Sequence, residues 1–309
     1  MSLGTTVETT MGLSADPQQS ALAAARAGSM LGLSPEELPP PHLAPVKRSF
    51  VKEYVPPFLV FGLFLAAWAL IHRTMASYRR PLLPYWWDVV RHGFTERGDP
   101  HKNPRDILEA LASTTRTSIS GLIAAIVIGT ALAVLMSRAA WVEKATYPYA
   151  VALQTIPILA LVPLFYIFFG SGYMSRTLVC VLIAIFPIIV NTLFGLKSPE
   201  QGMHDLFTLH DAGKPTRLNK LEFPAALPAM FEGYRIAAGL SVIGAIVGEV
   251  YFKDGPRGLG GIINLYNNRG YYPQMYAAIF VTAAYGLVVF ALFGMIRNRV
   301  IGKWHNVTR

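Results

Sequence analysis

Charge is scarce in this sequence. Only 15% of its 309 residues are Asp, Glu, Lys or Arg, where soluble domains run near a quarter, and that shortage argues against a water-soluble globule. Cysteine is scarcer still: with Cys180 alone, neither an intrachain disulfide nor a cysteine-based metal site can form, and redox chemistry is not indicated. A phosphate-cradling loop is missing as well. Such a loop needs Gly, four residues, then Gly-Lys-Ser/Thr; Gly213-Lys214-Pro215-Thr216 lacks the earlier glycine, and Pro215 blocks the turn. ATP hydrolysis is therefore expected on another polypeptide, and no cofactor is expected on this chain. The absence of His-Glu-x-x-His, of a serine nucleophile motif and of clustered aspartates leaves a membrane-embedded enzyme without its machinery. No basic start followed by an apolar run opens the chain, so a signal peptide is not expected.

Apolar residues are what the chain has in excess, 53% of the total with a mean hydropathy of +0.39. They are gathered into six blocks: Val55 to Ile71, Ile119 to Ser137, Tyr149 to Phe169, Leu178 to Leu196, Ile236 to Phe252 and Met275 to Ile296. A hydrocarbon core of about 30 Å needs about 20 helical residues, so the blocks have spanning length. The fold class expected is all-α, a polytopic membrane protein with about six transmembrane helices. Pro56-Pro57 opens the first block, where a missing N–H is tolerated.

Residues 1–50, rich in Ser, Pro, Ala and Gly, read as a disordered cytoplasmic tail with at most a short helix over Ala21 to Leu33; residues 51–309 read as the membrane domain. The net charge of +9 would suit nucleic acid, but most Lys and Arg flank the apolar blocks, so membrane lipid and not nucleic acid is the partner indicated. Lys47, Arg48 and Lys52 precede the first block, and Arg297, Arg299 and Lys303 follow the last. The positive-inside rule then places both termini in the cytoplasm, although eight basic residues between blocks one and two, from Arg73 to Arg116, run against it. That segment also carries Tyr85-Trp86-Trp87. It reads either as a helix along the outer interface, where such rings prefer to sit, or as an ordinary connector with buried aromatics. Residues 105–118 read as a helical lead into block two.

Between blocks four and five lies a polar segment, Lys197 to Pro228, longer than a turn requires. It reads as two short helices broken near residues 211–215, with Pro224 and Pro228 ending the second. Leu206, Phe207 and Leu209, then Leu218, Leu221 and Phe223, give each a greasy side that so small an element cannot bury alone. That side faces either a partner or the protein's own membrane helices.

At these residues the chain resembles the permease subunits of binding-protein-dependent ABC importers. Their cytoplasmic loop carries Glu-Ala-Ala, three residues, Gly, nine residues, Ile-x-Leu-Pro; Asp205-Leu206-Phe207, Asp211, Leu221, Phe223 and Pro224 stand at the matching positions without a gap. Leu-Phe replaces Ala-Ala and Asp211 replaces the turn glycine, with Gly213 two positions on as an alternative bend. Further similarity lies in Thr114-Thr115-Arg116, Gln154-Thr155-Ile156-Pro157, Leu161-Val162-Pro163-Leu164, Phe186-Pro187-Ile188 with Asn191-Thr192, and Gly244-Ala245-Ile246-Val247-Gly248-Glu249. It covers about residues 105–300 and points to the branch serving nitrate, sulfonates, taurine and pyrimidine, thiamine-precursor or riboflavin-like molecules. The resemblance implies a non-enzymatic subunit in the bacterial inner membrane. Its implied partners are ABC ATPase subunits, a periplasmic or lipid-anchored solute-binding protein and a second permease copy. The coupling contact would fall on Asp205, Leu206, Phe207, His210, Asp211, Ala212 and Gly213, with Leu221 and Pro224 at the exit.

The few polar residues within apolar blocks are candidates for a translocation path, because such groups are costly against lipid. They are Gln154, Thr155, Asn191 and Thr192, with kinks at Pro157, Pro163 and Pro187; bonding between neighbouring helices is the competing explanation. Glu249, beside the small face of Gly244 and Gly248, reads as an outer gate, as a partner of Lys253 or as a headgroup residue. The stretch Gly255 to Gly270 reads as a helical hairpin or re-entrant turn outside. An ion-coupled secondary transporter is the alternative class, but mid-span charges are scarce and no internal repeat is evident.

Overall fold

The computed structural model describes residues 50–95 and 104–302, so the expectations for the tail before residue 50 lie outside the described residues. Their regular elements are all helices, with no strand among the described residues. Helix α1 (Phe50–Thr74) belongs as far as Ala67 to a unit of its own, and the chain from Trp68 forms a second. Its prolines, Pro56 and Pro57, lie inside the helix instead of in its first turn. The second unit comprises α2 (Trp86–Thr95), α3 (Pro104–Arg138), α4 (Ala140–Thr155), α5 (Ile158–Phe169), α6 (Tyr173–Leu196), α7 (Gln201–Leu209), α8 (Lys214–Arg217), α9 (Phe223–Tyr251), α10 (Leu259–Arg269) and α11 (Tyr272–Ile301). Helices α3, α6, α9 (with its lead from Lys214) and α11 are each long and apolar enough to cross a membrane, whereas the apolar part of α1, Phe58–Thr74, is shorter.

The third apolar block is not one rod. It breaks between Thr155 and Ile158, and α4 and α5 meet at 103°. Pro157 caps α5 in an extended conformation, which a proline and the residue before it favour over the α region.

The core is a three-helix crossing of α3, α6 and α9. Small residues let the backbones approach. A β-carbon on Gly129 of α3 would come within 2.9 Å of Ile188, and one on Gly244 of α9 within 2.7 Å of the Cys180 Cα. The expected small face is thus real: Gly248, one turn on, lies against Arg176.

These contacts set the topology. Along α6, Tyr173 meets Ser120, Ile188 meets Gly129, and Leu196 meets Val134, so α3 and α6 run parallel. The α4–α5 pair must therefore carry the chain back across the bundle, which makes it a broken span and not a re-entrant loop. Along α9, Ala226 lies by Gly195, Gly233 by Asn191 and Gly248 by Arg176, an antiparallel return. Helix α11 reverses again, with Tyr285 bonded to Ser118, Arg235 over the Phe290 ring and Arg297 paired with Glu232. The segment from Lys197 to Glu222 thus shares one end of the bundle with the last turns of α11, and α10 occupies the other.

Candidate functional site

At the first end, the polar segment is a hairpin with clamped feet. Arg138, closing α3, pairs with Glu222, and Glu143 of α4 pairs with Lys197 at 2.5 Å. Both strands of the hairpin are therefore tied to the α3–α4 corner. Its feet also touch each other, since a β-carbon on Gly195 would meet Ala226 at 2.9 Å.

Helix α7 ends in a Schellman turn. Ala212 N–H donates to the Phe207 carbonyl and Asp211 N–H to the Thr208 carbonyl, both at 3.0 Å, the bond pair that defines the motif. The residue in the left-handed position is Asp211, φ 49°, the only non-glycine with positive φ among the described residues. Gly213 does not take the bend: its φ is −65° and it precedes α8. Asp tolerates the left-handed region better than most residues because its short side chain can bond locally. Arg217 braces the turn, donating to the Ala212 carbonyl at 3.1 Å and to Thr208 Oγ1 at 2.9 Å.

The two greasy sides have different fates. On α7, Leu206 is 48% and Leu209 83% exposed, with Met203 beside them, while Phe207 is half-buried. Asp205, accepting from Gln201 at 3.1 Å, and His210 are also exposed, and Ala212 is half-buried. On the second arm, Leu221 is 6% exposed and Leu218 packs on Leu196, Ala226 and Met230, so these two are covered by the protein's own helices, whereas Phe223 is exposed. Pro224 and Pro228 do not end a helix. The chain runs as one helix from Lys214 to Tyr251, passing Pro224 through a π turn in which Phe223 N–H donates to the Leu218 carbonyl. Such local widening accommodates a residue that cannot donate.

In mid-bundle the four polar candidates separate. Gln154 lines a cavity of about 470 Å³ with Ile156, Phe186, Pro187, Ile236 and Leu240, at the α4–α5 bend. Thr155 is exposed and bonds back to the Ala152 carbonyl at 2.8 Å. Asn191 donates to the Pro187 carbonyl at 2.8 Å and faces Gly233, and Thr192 is fully buried in the helix crossing. The last two lie against neighbouring helix backbone in this conformation.

At the opposite end, Glu249 is 2% exposed and has no ion pair with Lys253 among the described residues. It does not meet the predicted lysine. Its Oε2 accepts from Thr114 Oγ1 at 2.9 Å and from Gly260 N–H at 3.0 Å, while Thr114 Oγ1 accepts from Leu259 N–H at 2.8 Å. The first N–H groups of α10 are thus capped by side chains from α9 and α3. Arg176, 3% exposed, donates at 2.8 Å to each of the Phe252, Asp254 and Pro256 carbonyls that lead into α10. One acid and one base knot the whole 252–260 segment to the core. The stretch Gly255 to Gly270, expected as a helical hairpin or re-entrant turn, holds the single helix α10.

Sequence reasoning named neither Arg176 nor the two ion pairs at the hairpin's feet, and quoted Thr114 only as part of a motif. A lone arginine beside an apolar block was the available signal for Arg176. No group of three or more His, Cys, Asp or Glu that could hold a metal occurs among the described residues.

Comparison with known proteins accounts for this architecture. Residues 125–302 match the family described as binding-protein-dependent transport system inner membrane component. The formylaminopyrimidine transport permease protein ThiX of Halalkalibacterium halodurans is 34% identical over 82% of this chain and 96% of its own length. The riboflavin transport system permease protein RibX of Chloroflexus aurantiacus is 34% identical over 53% of this chain and 60% of its own, and the nitrate import permease protein NrtB of Leptolyngbya laminosa 26% over 85% and 93%. These relatives do not favour an ion-coupled carrier. The chain belongs to the binding-protein-dependent transport system inner membrane component family and is a multi-pass permease subunit of an ABC importer.

Proposed function

We propose that the Gln201–Glu222 hairpin is the handle by which a separate ABC ATPase drives this permease. The carrying observation is the exposed Leu206 and Leu209 face on a hairpin whose feet are clamped to α3, α4 and α9. An apolar face on so short a helix gains by burial against a partner. The clamps would make the hairpin move with the bundle and not flex alone, so that closure of two ATPase subunits tilts α4 to α9 and opens a path alternately to each side.

In this reading the hairpin end is cytoplasmic. Lys144, Lys197, Lys214, Arg217, Lys220, Arg297 and Arg299 gather there, as the positive-inside rule asks, and the C-terminal end of α11 follows; Lys47, Arg48 and Lys52 argue by the same rule for a cytoplasmic N-terminus. The knotted end then faces a solute-binding protein, and two permease copies enclose the path. The cargo is a small solute of the kind named for the relatives, a pyrimidine, riboflavin or an anion such as nitrate. Gln154, at the broken span, is the polar group best placed to meet it.

Replacing Leu206 and Leu209 together by Glu should abolish co-purification of the ATPase and lower transport by at least about tenfold. The melting temperature in detergent should hold, because both side chains are exposed. Retention of the ATPase by the double variant would refute the handle.

A further inference from the structure

Tyr85-Trp86-Trp87 plays no part in the reading above. Helix α2 turns Val89 and Gly93 toward α11: Val89 is fully buried, and a β-carbon on Gly93 would come within 3.1 Å of the Pro273 carbonyl oxygen. Three bonds lash the segment down. Gln274 Nε2 donates to the His92 carbonyl at 3.3 Å, the Tyr276 hydroxyl to the Leu82 carbonyl at 3.3 Å, and Trp68 Nε1 to the Pro84 carbonyl at 2.8 Å.

At about 100° per residue, Trp86, Val90 and Phe94 form the next stripe round the helix, with Trp87 at its edge. All four are exposed. Asp88, Arg91 and His92 occupy the remaining arc. The apolar arc of α2 is therefore wider than α11 covers, and something apolar must meet the surplus.

Depth identifies it. The 30 residues of α11 span about 45 Å at 1.5 Å each, more than the roughly 30 Å of hydrocarbon, so its first turns, where α2 is fixed, stand at headgroup level. Indole and phenol rings prefer that level. The surface is also continuous with the span: Trp68 stacks on Phe280 at 6.0 Å, and Phe280 and Ile279 lie on the exposed side of α11. We infer that α2 is an interfacial anchor, its Trp86, Val90 and Phe94 face immersed in the headgroup and upper acyl region of one lipid leaflet. The polar arc with Arg91 points to water.

The test uses the full-length protein in lipid nanodiscs. Changing Trp68, Trp87, Trp141 and Trp304 to Phe leaves Trp86 as the only indole. Phosphatidylcholine brominated near the headgroup should quench Trp86 about twofold more than lipid brominated near the chain end, and aqueous iodide should quench little. Quenching by iodide alone would show a water-facing surface open to a soluble partner, and insensitivity to both would show a face covered by protein, a second copy included; either overturns the anchor. If the fourfold variant does not fold, Val90→Cys gives one accessible thiol, since Cys180 is buried. A spin label there should be relaxed more by oxygen than by a water-soluble nickel complex, and the reverse order would overturn the proposal.

Discussion

Arg176 and Arg217 fasten loops at opposite ends of α6 with the same chemistry, guanidinium N–H groups donating to backbone carbonyls. The 24 residues of α6 separate those ends by about 36 Å. Arg176 is buried and makes three such bonds, whereas Arg217 is half-buried and makes one, plus one to a hydroxyl. The contrast follows from solvent. Water can replace the bonds of Arg217 but not the bond of Arg176 to Phe252, so the segment leading into α10 is fastened from inside the protein and the hairpin turn at its surface.

Removing each arginine measures that difference. Arg176→Met keeps the bulk and strips three carbonyls of their donor, at least one of them deep in the protein, and should cost about 3 kcal/mol. Thermal unfolding in detergent should show a fall of roughly 10 °C. Arg217→Met should cost about 1 kcal/mol or less. Equal losses at the two sites would erase the distinction between a sealed and a replaceable end.

The two ion pairs at the hairpin's feet form a finer gradient. Side chains of Arg138 and Glu222 are 27% and 11% exposed, those of Lys197 and Glu143 49% and 29%. A double-mutant cycle of Arg138→Met with Glu222→Gln should return a coupling of about 1 kcal/mol that survives added salt. The cycle of Lys197→Met with Glu143→Gln should return about 0.3 kcal/mol that salt removes. Salt sensitivity in the first pair would mean that the foot is wetter than its burial implies.

Much of the scaffold was legible because helix period and span length are local properties. The blocks at 119–137, 178–196, 236–252 and 275–296 fall in or at the ends of α3, α6, α9 and α11. Contacts across the chain were not legible. Pro157 announced a bend, but its 103° depends on how α4 and α5 pack elsewhere. Apolar spacing marked Leu206 and Leu218 alike, and only the neighbouring Leu196, Ala226 and Met230 decide that Leu218 is covered. Glu249 stood out as an acid, yet its partners are a hydroxyl 135 residues away and a backbone N–H that no side-chain pattern encodes. Pro224 misled because proline stops helices in water, whereas a π turn absorbs it here.

The smallest expected effect concerns Asp211, where hairpin and motif disagree with each other. The turn needs a left-handed residue, and glycine pays no steric penalty there, so Asp211→Gly should leave the hairpin at least as well ordered as it is now. Asp211→Ala retains a β-carbon but loses the local polar compensation, and should loosen the turn by about 1 kcal/mol. Hydrogen exchange at the Asp211 and Ala212 amides reads this directly, because those N–H groups close the Schellman turn. Protection should fall roughly fivefold in the alanine variant by that energy and hold in the glycine variant. If alanine is as well protected as aspartate, the side chain contributes nothing beyond tolerance of the conformation, and the position is defined by backbone geometry alone.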